Sequence, residues 1–170
     1  MVFVELKQIA AGLIDALREA NLQLATIESC TGGLVAAVLT ECPGSSAVFE
    51  RGFVSYSNDA KIEMVGVRPE LIAGYGAVSR EVALAMAEGA LVHSQASVSI
   101  SVTGLAGPGG GTQSKPIGLV HIAAARIGFA TLHRECRFGP LDRSLIRLRA
   151  VGVALELARE AVDFGTEGNS

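Results

Sequence analysis

Residues 22–33 read Leu-Gln-Leu-Ala-Thr-Ile-Glu-Ser-Cys-Thr-Gly-Gly, and this stretch decides the fold class. Residues 22–28 predict a strand with apolar residues on both faces, the pattern of a central strand covered on each side. Thr31 and Gly32-Gly33 then open a short helix that should run to about Thr40. Upstream, residues 4–20 put Leu6, Ile9, Leu13, Ile14 and Leu17 on one helical face, and Asn21 suits the turn that ends it. Downstream, residues 47–56 read as a second strand and 58–66 as a helix capped by Asn58, with another helix starting at Pro69. Ser79 caps a helix to about Ser94, and residues 97–103 alternate as a strand. Residues 117–126 and 129–137 form a hairpin around Gly128, and Asp142 caps a last helix to about Val162. Helices interleaved with strands, and a hairpin near the end, predict an α/β protein: a single-domain three-layer α/β/α sandwich with a mixed sheet over residues 1–164, and a frayed tail at 165–170.

The composition narrows the function classes. Of 170 residues, 49% are hydrophobic and 18% charged, too apolar for a disordered chain. Glycine is the outlier at 20 residues, and five of the eight positions from Gly104 to Gly111 are glycine. No apolar run is long enough to span a bilayer and no signal-peptide layout opens the chain, so the expected location is cytoplasmic with no membrane partner. A net charge of −3 argues against a nucleic-acid footprint. Cys30, Cys42 and Cys136 are odd in number and widely spaced, and His93, His121 and His133 read as isolated, so no disulfide framework and no metal site are expected.

Four segments carry chemistry. The turn Glu28-Ser29-Cys30-Thr31-Gly32-Gly33 lies where a buried strand meets a helix, with free N–H groups beside any nucleophile; an ordinary helix cap is the plain alternative. Residues 54–61, Val-Ser-Tyr-Ser-Asn-Asp-Ala-Lys, gather hydroxyls at a strand end and put Lys61 on the next helix. Lys61 is either a surface cation or, if desolvated, a general base. Residues 103–112, Thr-Gly-Leu-Ala-Gly-Pro-Gly-Gly-Gly-Thr, follow a strand and match neither a P-loop nor a dinucleotide fingerprint, but their bare N–H groups suit an anion. Arg143 and Arg147 share a face of the last helix and could pair with acids or hold a phosphate or carboxylate.

Residues 25–33, 52–58, Ala60-Lys61, Gly76–Ser79, 102–112, Lys115-Pro116, Gly118 and Asp142-Arg143 with Arg147 together resemble the CinA C-terminal domain family, from about residue 5 to 160. One departure is Leu141, where the family commonly has glycine. The resemblance implies a stand-alone nicotinamide-nucleotide amidase that converts nicotinamide mononucleotide to nicotinate mononucleotide and ammonia, needs no cofactor, and works as a homodimer or larger homo-oligomer. It further implies a Ser–Lys mechanism. Ser29 is then the nucleophile, Lys61 the base, and Tyr56 the residue that orients them. The N–H groups of Thr31, Gly32 and Gly33 hold the oxyanion, and Thr103 lines the pocket floor. Gly107, Gly109, Gly110, Gly111 and Thr112 hold the ribose or phosphate, with Arg143 or Arg147. Two rivals stand beside it: a Cys30 nucleophile, disfavoured because strand alternation sends Ser29 and Cys30 to opposite faces, and a non-catalytic nucleotide sensor tied to competence or DNA damage, which would bind but release no ammonia.

Overall fold

The computed structural model describes residues 2–164; the expected frayed tail at 165–170 lies outside the described residues. Five strands, β1 (Leu24–Glu28), β2 (Phe49–Val54), β3 (Val98–Gly104), β4 (Leu119–Arg126) and β5 (Leu132–Arg137), form one sheet in the order β2-β1-β3-β4-β5. The first three are parallel, and β4 and β5 add antiparallel to β3. All five residues of β1 are buried, whereas the edge strands β2 and β5 are mostly half-buried or exposed. Helices α1 (Val2–Glu19), α2 (Leu34–Thr40) and α6 (Arg143–Asp163) pack on one face, and α3 (Asn58–Val65), α4 (Pro69–Tyr75) and α5 (Arg80–Val92) on the other. The fold is therefore the expected α/β/α sandwich with a mixed sheet.

Alternation along β1 separates the two layers. Leu24 joins the core shared with α1, α2 and α6, while Ile27 joins a second core with Val65, Val82, Met86 and Ala90. Three hydroxyls on β3 point to that second layer and bond to the α5 side: Ser99 Oγ donates to Ala87 O at 2.6 Å, Ser101 Oγ to Ala83 O at 2.6 Å, and Thr103 Oγ1 to Ala77 O at 2.8 Å. The alanines along α5 allow this close approach, and the hydroxyls satisfy themselves where no water reaches.

Several local details differ from the sequence reading, each for a physical reason. Strand β2 is shorter than 47–56, because Ser45–Ala47 form a 3₁₀ turn after the left-handed Gly44. Ser57, not Asn58, caps α3: its backbone is extended and its Oγ accepts from Ala60 N at 3.0 Å. Helix α2 starts at Leu34 behind Gly33, whose φ of 101° favours glycine, and no residue next to it supplies a side-chain cap. The cap comes instead from Glu28 at the end of β1, whose carboxylate accepts from Gly33, Val35 and Ala36 N–H at 2.9–3.0 Å. His121 and His133 are not isolated; they face each other across β4 and β5, with Nδ1 and Nε2 3.0 Å apart. Ser79 and Asp142 cap α5 and α6 as expected.

Gly89 fixes where α3 sits. A Cβ there would lie 2.0 Å from the Val65 carbonyl oxygen, so the end of α3 rests directly on α5. Gly89→Ala should destabilise the protein by about 1–3 kcal/mol or more in urea unfolding, the usual cost of overpacking a closed contact, despite alanine's better helix propensity.

Candidate active site

Strand β1 connects to β2 on one side of the sheet and β3 to β4 on the other, so the carboxyl ends of β1 and β3 flank the point where the chain's course reverses. Ligands of open α/β sheets bind at such crevices. A pocket of about 240 Å³ opens there, lined by Ser29 and Cys30 after β1, Tyr56 after β2, Gly104 to Gly107 and Gly109 after β3, and Arg143 from α6. A larger depression of about 460 Å³ lies at the opposite edge of the sheet, around Arg18, Gln23, Gln95 and Ser97, and has no buried reactive pair.

Ser29 is buried, and its Oγ lies 3.1 Å from Lys61 Nζ. Lys61 is 1% exposed, among the largest fully buried side chains in the protein. It reaches inward from the first turns of α3, and its amine meets the main-chain oxygens of Ser55 at 3.0 Å, Tyr56 at 3.3 Å and Ser57 at 3.5 Å. No carboxylate pairs with it among the described residues. Burial without an anion lowers the Lys61 pKa from its ordinary value. A neutral amine fits this cage well: two N–H bonds go to carbonyls, and the lone pair is left to accept the Ser29 hydroxyl proton.

Cys30 belongs to the other layer, in the core with Val35, Val102 and Ala106. Burial pushes its thiol pKa up to about 11, so it is protonated at neutral pH and a poor nucleophile. This agrees with the alternation argument against Cys30.

The neighbouring N–H groups are distributed differently from the sequence reading. Gly32 N–H donates to Ser29 O at 3.0 Å, and Gly33 N–H donates to Glu28, so neither is spare. Among the described residues, the N–H groups of Cys30 and Thr31 have no backbone acceptor, and the Cys30 N–H meets its own thiol. The Tyr56 hydroxyl accepts from Arg143 Nη2 at 3.1 Å, while Arg143 Nη1 donates to Gly107 O at 2.7 Å. Among the described residues, the hydrogen bond between Tyr56 and Lys61 runs from Nζ to the Tyr56 carbonyl, not to its hydroxyl. Thr103 is committed to Ala77 O beneath the pocket. Gly107 and Gly109 line the pocket, but Gly111 and Thr112 face a separate depression with Ile117 and Pro140. Gly110, with φ 88°, connects the two.

The roles that sequence reasoning did not assign are the Glu28 cap, the carbonyls of Ser55 to Ser57, and Leu105 and Ala106 as pocket wall. Glu28 left a signal: a carboxylate beside a turn that leads into a helix without a local cap. Among the described residues, no group of three or more His, Cys, Asp or Glu side chains could hold a metal, and no helix is long and apolar enough to cross a membrane.

Residues 6–162 match the family model of the CinA C-terminal domain. The chain is 47% identical over 153 residues to the nicotinamide-nucleotide amidohydrolase PncC of Escherichia coli K12, covering 89% of this chain and 92% of that one. It is also 47% identical over 152 residues to a CinA-like protein of Chloroherpeton thalassium, covering 36% of that longer chain. The crystal structure of the competence/damage inducible protein CihA from Agrobacterium tumefaciens superposes with a TM-score of 0.90 at 49% identity, over 93% of this chain and 95% of that one. With a strand-end serine and a buried lysine at the heart of a matching fold, the chain belongs to the CinA C-terminal domain family.

Proposed function

We propose that the chain hydrolyses the carboxamide of nicotinamide mononucleotide, giving nicotinate mononucleotide and ammonia, by way of Ser29 and Lys61. The observation that carries the reading is the 3.1 Å contact between Ser29 Oγ and the buried Lys61 amine, in a chain 47% identical to a nicotinamide-nucleotide amidohydrolase.

In this mechanism Ser29 Oγ attacks the carboxamide carbon and its proton passes to Lys61 Nζ. The carbonyl oxygen becomes an oxyanion and accepts hydrogen bonds from the N–H groups of Cys30 and Thr31. Lys61 then gives its proton to the amide nitrogen, the C–N bond breaks, and ammonia leaves an ester on Ser29. Water attacks that ester and passes a proton to Lys61, the C–Oγ bond breaks, and Lys61 returns the proton to Ser29. The carbonyls of Ser55 and Tyr56 hold the amine in place throughout and stabilise its brief ammonium state. Arg143 at the mouth and the loop at Gly107–Gly110 receive the ribose and phosphate.

Ammonia release from nicotinamide mononucleotide by purified protein tests the reading. Ser29→Ala and Lys61→Met should each lower kcat by about 10³-fold or more, as loss of a nucleophile or its base does elsewhere. Turnover within tenfold of wild type in either variant would remove the dyad.

The pH dependence has a definite sign. The lowered Lys61 pKa means that the folded protein releases this proton more readily than the unfolded chain does. Wild-type kcat/KM should therefore rise with pH and level off at a midpoint below the ordinary lysine value of 10.5. Below that ordinary value the unfolded chain binds the extra proton, so Lys61 costs stability there. Lys61→Met should be inactive yet at least as resistant to urea at pH 7 as the wild type.

A further inference from the structure

Arg147 lies one helical turn beyond Arg143, half-buried, and does not line the pocket. Its guanidinium crosses from α6 to the turn after β1. Nε donates to the Cys30 carbonyl at 3.0 Å and Nη2 to the Thr31 carbonyl at 3.0 Å. Among the described residues it has no acidic partner, so its full charge is presented to two main-chain oxygens.

The turn it grips needs holding. Gly32 and Gly33 both have positive φ, at 58° and 101°, and a Gly-Gly turn is conformationally permissive. The Ser29–Cys30 peptide unit is fixed by the bond from Gly32 N–H to Ser29 O. The Thr31–Gly32 unit is held by Leu34 N–H, at 3.1 Å from Thr31 O, as well as by Arg147. Among the described residues, the Cys30–Thr31 unit has no protein bond at either end except the one from Arg147. In a planar trans peptide the C=O and N–H point in opposite directions. Holding the Cys30 carbonyl toward α6 therefore sets the direction of the Thr31 N–H, one of the two donors beside Ser29 without a backbone acceptor. A cation on the carbonyl end also polarises the unit and strengthens that donor. The planar fork of arginine meets two successive carbonyls at once, which a lysine ammonium cannot do with the same rigidity.

We propose that Arg147 is a positioning residue for the reaction at Ser29, acting through the Cys30 and Thr31 carbonyls to aim and polarise the Thr31 N–H toward the developing oxyanion. It touches neither substrate nor reacting atoms. The inference rests on the amidase reading. It separates the two arginines of α6, with Arg143 at the mouth and Arg147 behind the nucleophile turn.

Steady-state kinetics of Arg147→Lys and Arg147→Ala on nicotinamide mononucleotide test it. The expected result is a kcat lower by about 10- to 100-fold for Arg147→Lys, and lower still for Arg147→Ala, with KM within threefold of wild type. This is the pattern for an interaction made only in the transition state. Guanidinium at millimolar concentration should restore part of kcat in Arg147→Ala and none in Ser29→Ala. A raised KM with kcat unchanged would make Arg147 a substrate-phosphate ligand and overturn the proposal, as would kinetics equal to wild type. Should Arg147→Ala fail to fold, the kcat and KM of Arg147→Lys decide. If the wild type itself releases no ammonia, the amidase reading fails, and the positioning role is then judged by the rate at which a fluorophosphonate phosphonylates Ser29 Oγ with loss of fluoride. That reaction also places charge on an oxygen beside Ser29. Slower labelling of Arg147→Lys by tenfold or more would sustain the role, and equal labelling would overturn it.

Discussion

A lysine amine shut away from water and given only neutral oxygens for company is the constraint on which the rest of the site depends. An ammonium in that position has lost its hydration and gained no counter-charge, and the cost of that loss favours the neutral amine. The architecture is arranged to enforce the burial. Gly89 lets α3 rest against α5, so Lys61 is carried inward rather than along the surface. The chain leaving β2 turns its Ser55, Tyr56 and Ser57 carbonyls toward the amine. Ser29, at the end of the most buried strand, supplies the remaining contact. Had a carboxylate stood near Nζ, the pair would have been a buried salt bridge and the lysine a poor base.

The turn after β1 is held from three sides at once. Glu28 draws in the first N–H groups of α2, Gly32 closes the turn on Ser29, and Arg147 reaches across from α6. The carboxylate acts on the N–H ends of peptide units at the start of α2, and the guanidinium on the C=O ends of the two units that precede them. Among the described residues of the turn, the N–H groups of Cys30 and Thr31 are the ones without a backbone acceptor. In the proposed reaction such an arrangement is prepared before substrate arrives, so little reorganisation accompanies charge development on a bound carbonyl.

Much of this was legible in the sequence because it is local. The apolar run at 22–28, the Gly-Gly turn after it and the helix carrying Lys61 are each set by residues within a few positions of one another. The three-layer order follows from their alternation. What stayed hidden depends on strand register or on reach across the fold. Glu28 caps a helix whose N–H groups lie five to eight residues on, and Arg147 grips carbonyls more than a hundred residues away. His121 and His133 meet only because β4 and β5 pair in one register. Choosing Ser57 over Asn58 as a cap required the backbone angle at Ser57, since both side chains can accept the bond. Tyr56 shows the same limit: its place beside Lys61 was readable, but that its carbonyl rather than its hydroxyl would face the amine was not.

Consecutive residues at the end of β1 serve different masters. Glu28 turns toward α2, Ser29 toward α3, and Cys30 back toward the first layer. A strand assigns sides by parity, so a slip of one residue would carry every side chain to the other face. Loss or gain of a single codon in β1 would therefore do more than loosen the core. A gained residue would set the Glu28 carboxylate against Lys61, a lost one would set Cys30 there, and either would leave the start of α2 uncapped. Point substitutions can be graded at these positions, but length cannot: the register of this strand is itself part of the candidate site.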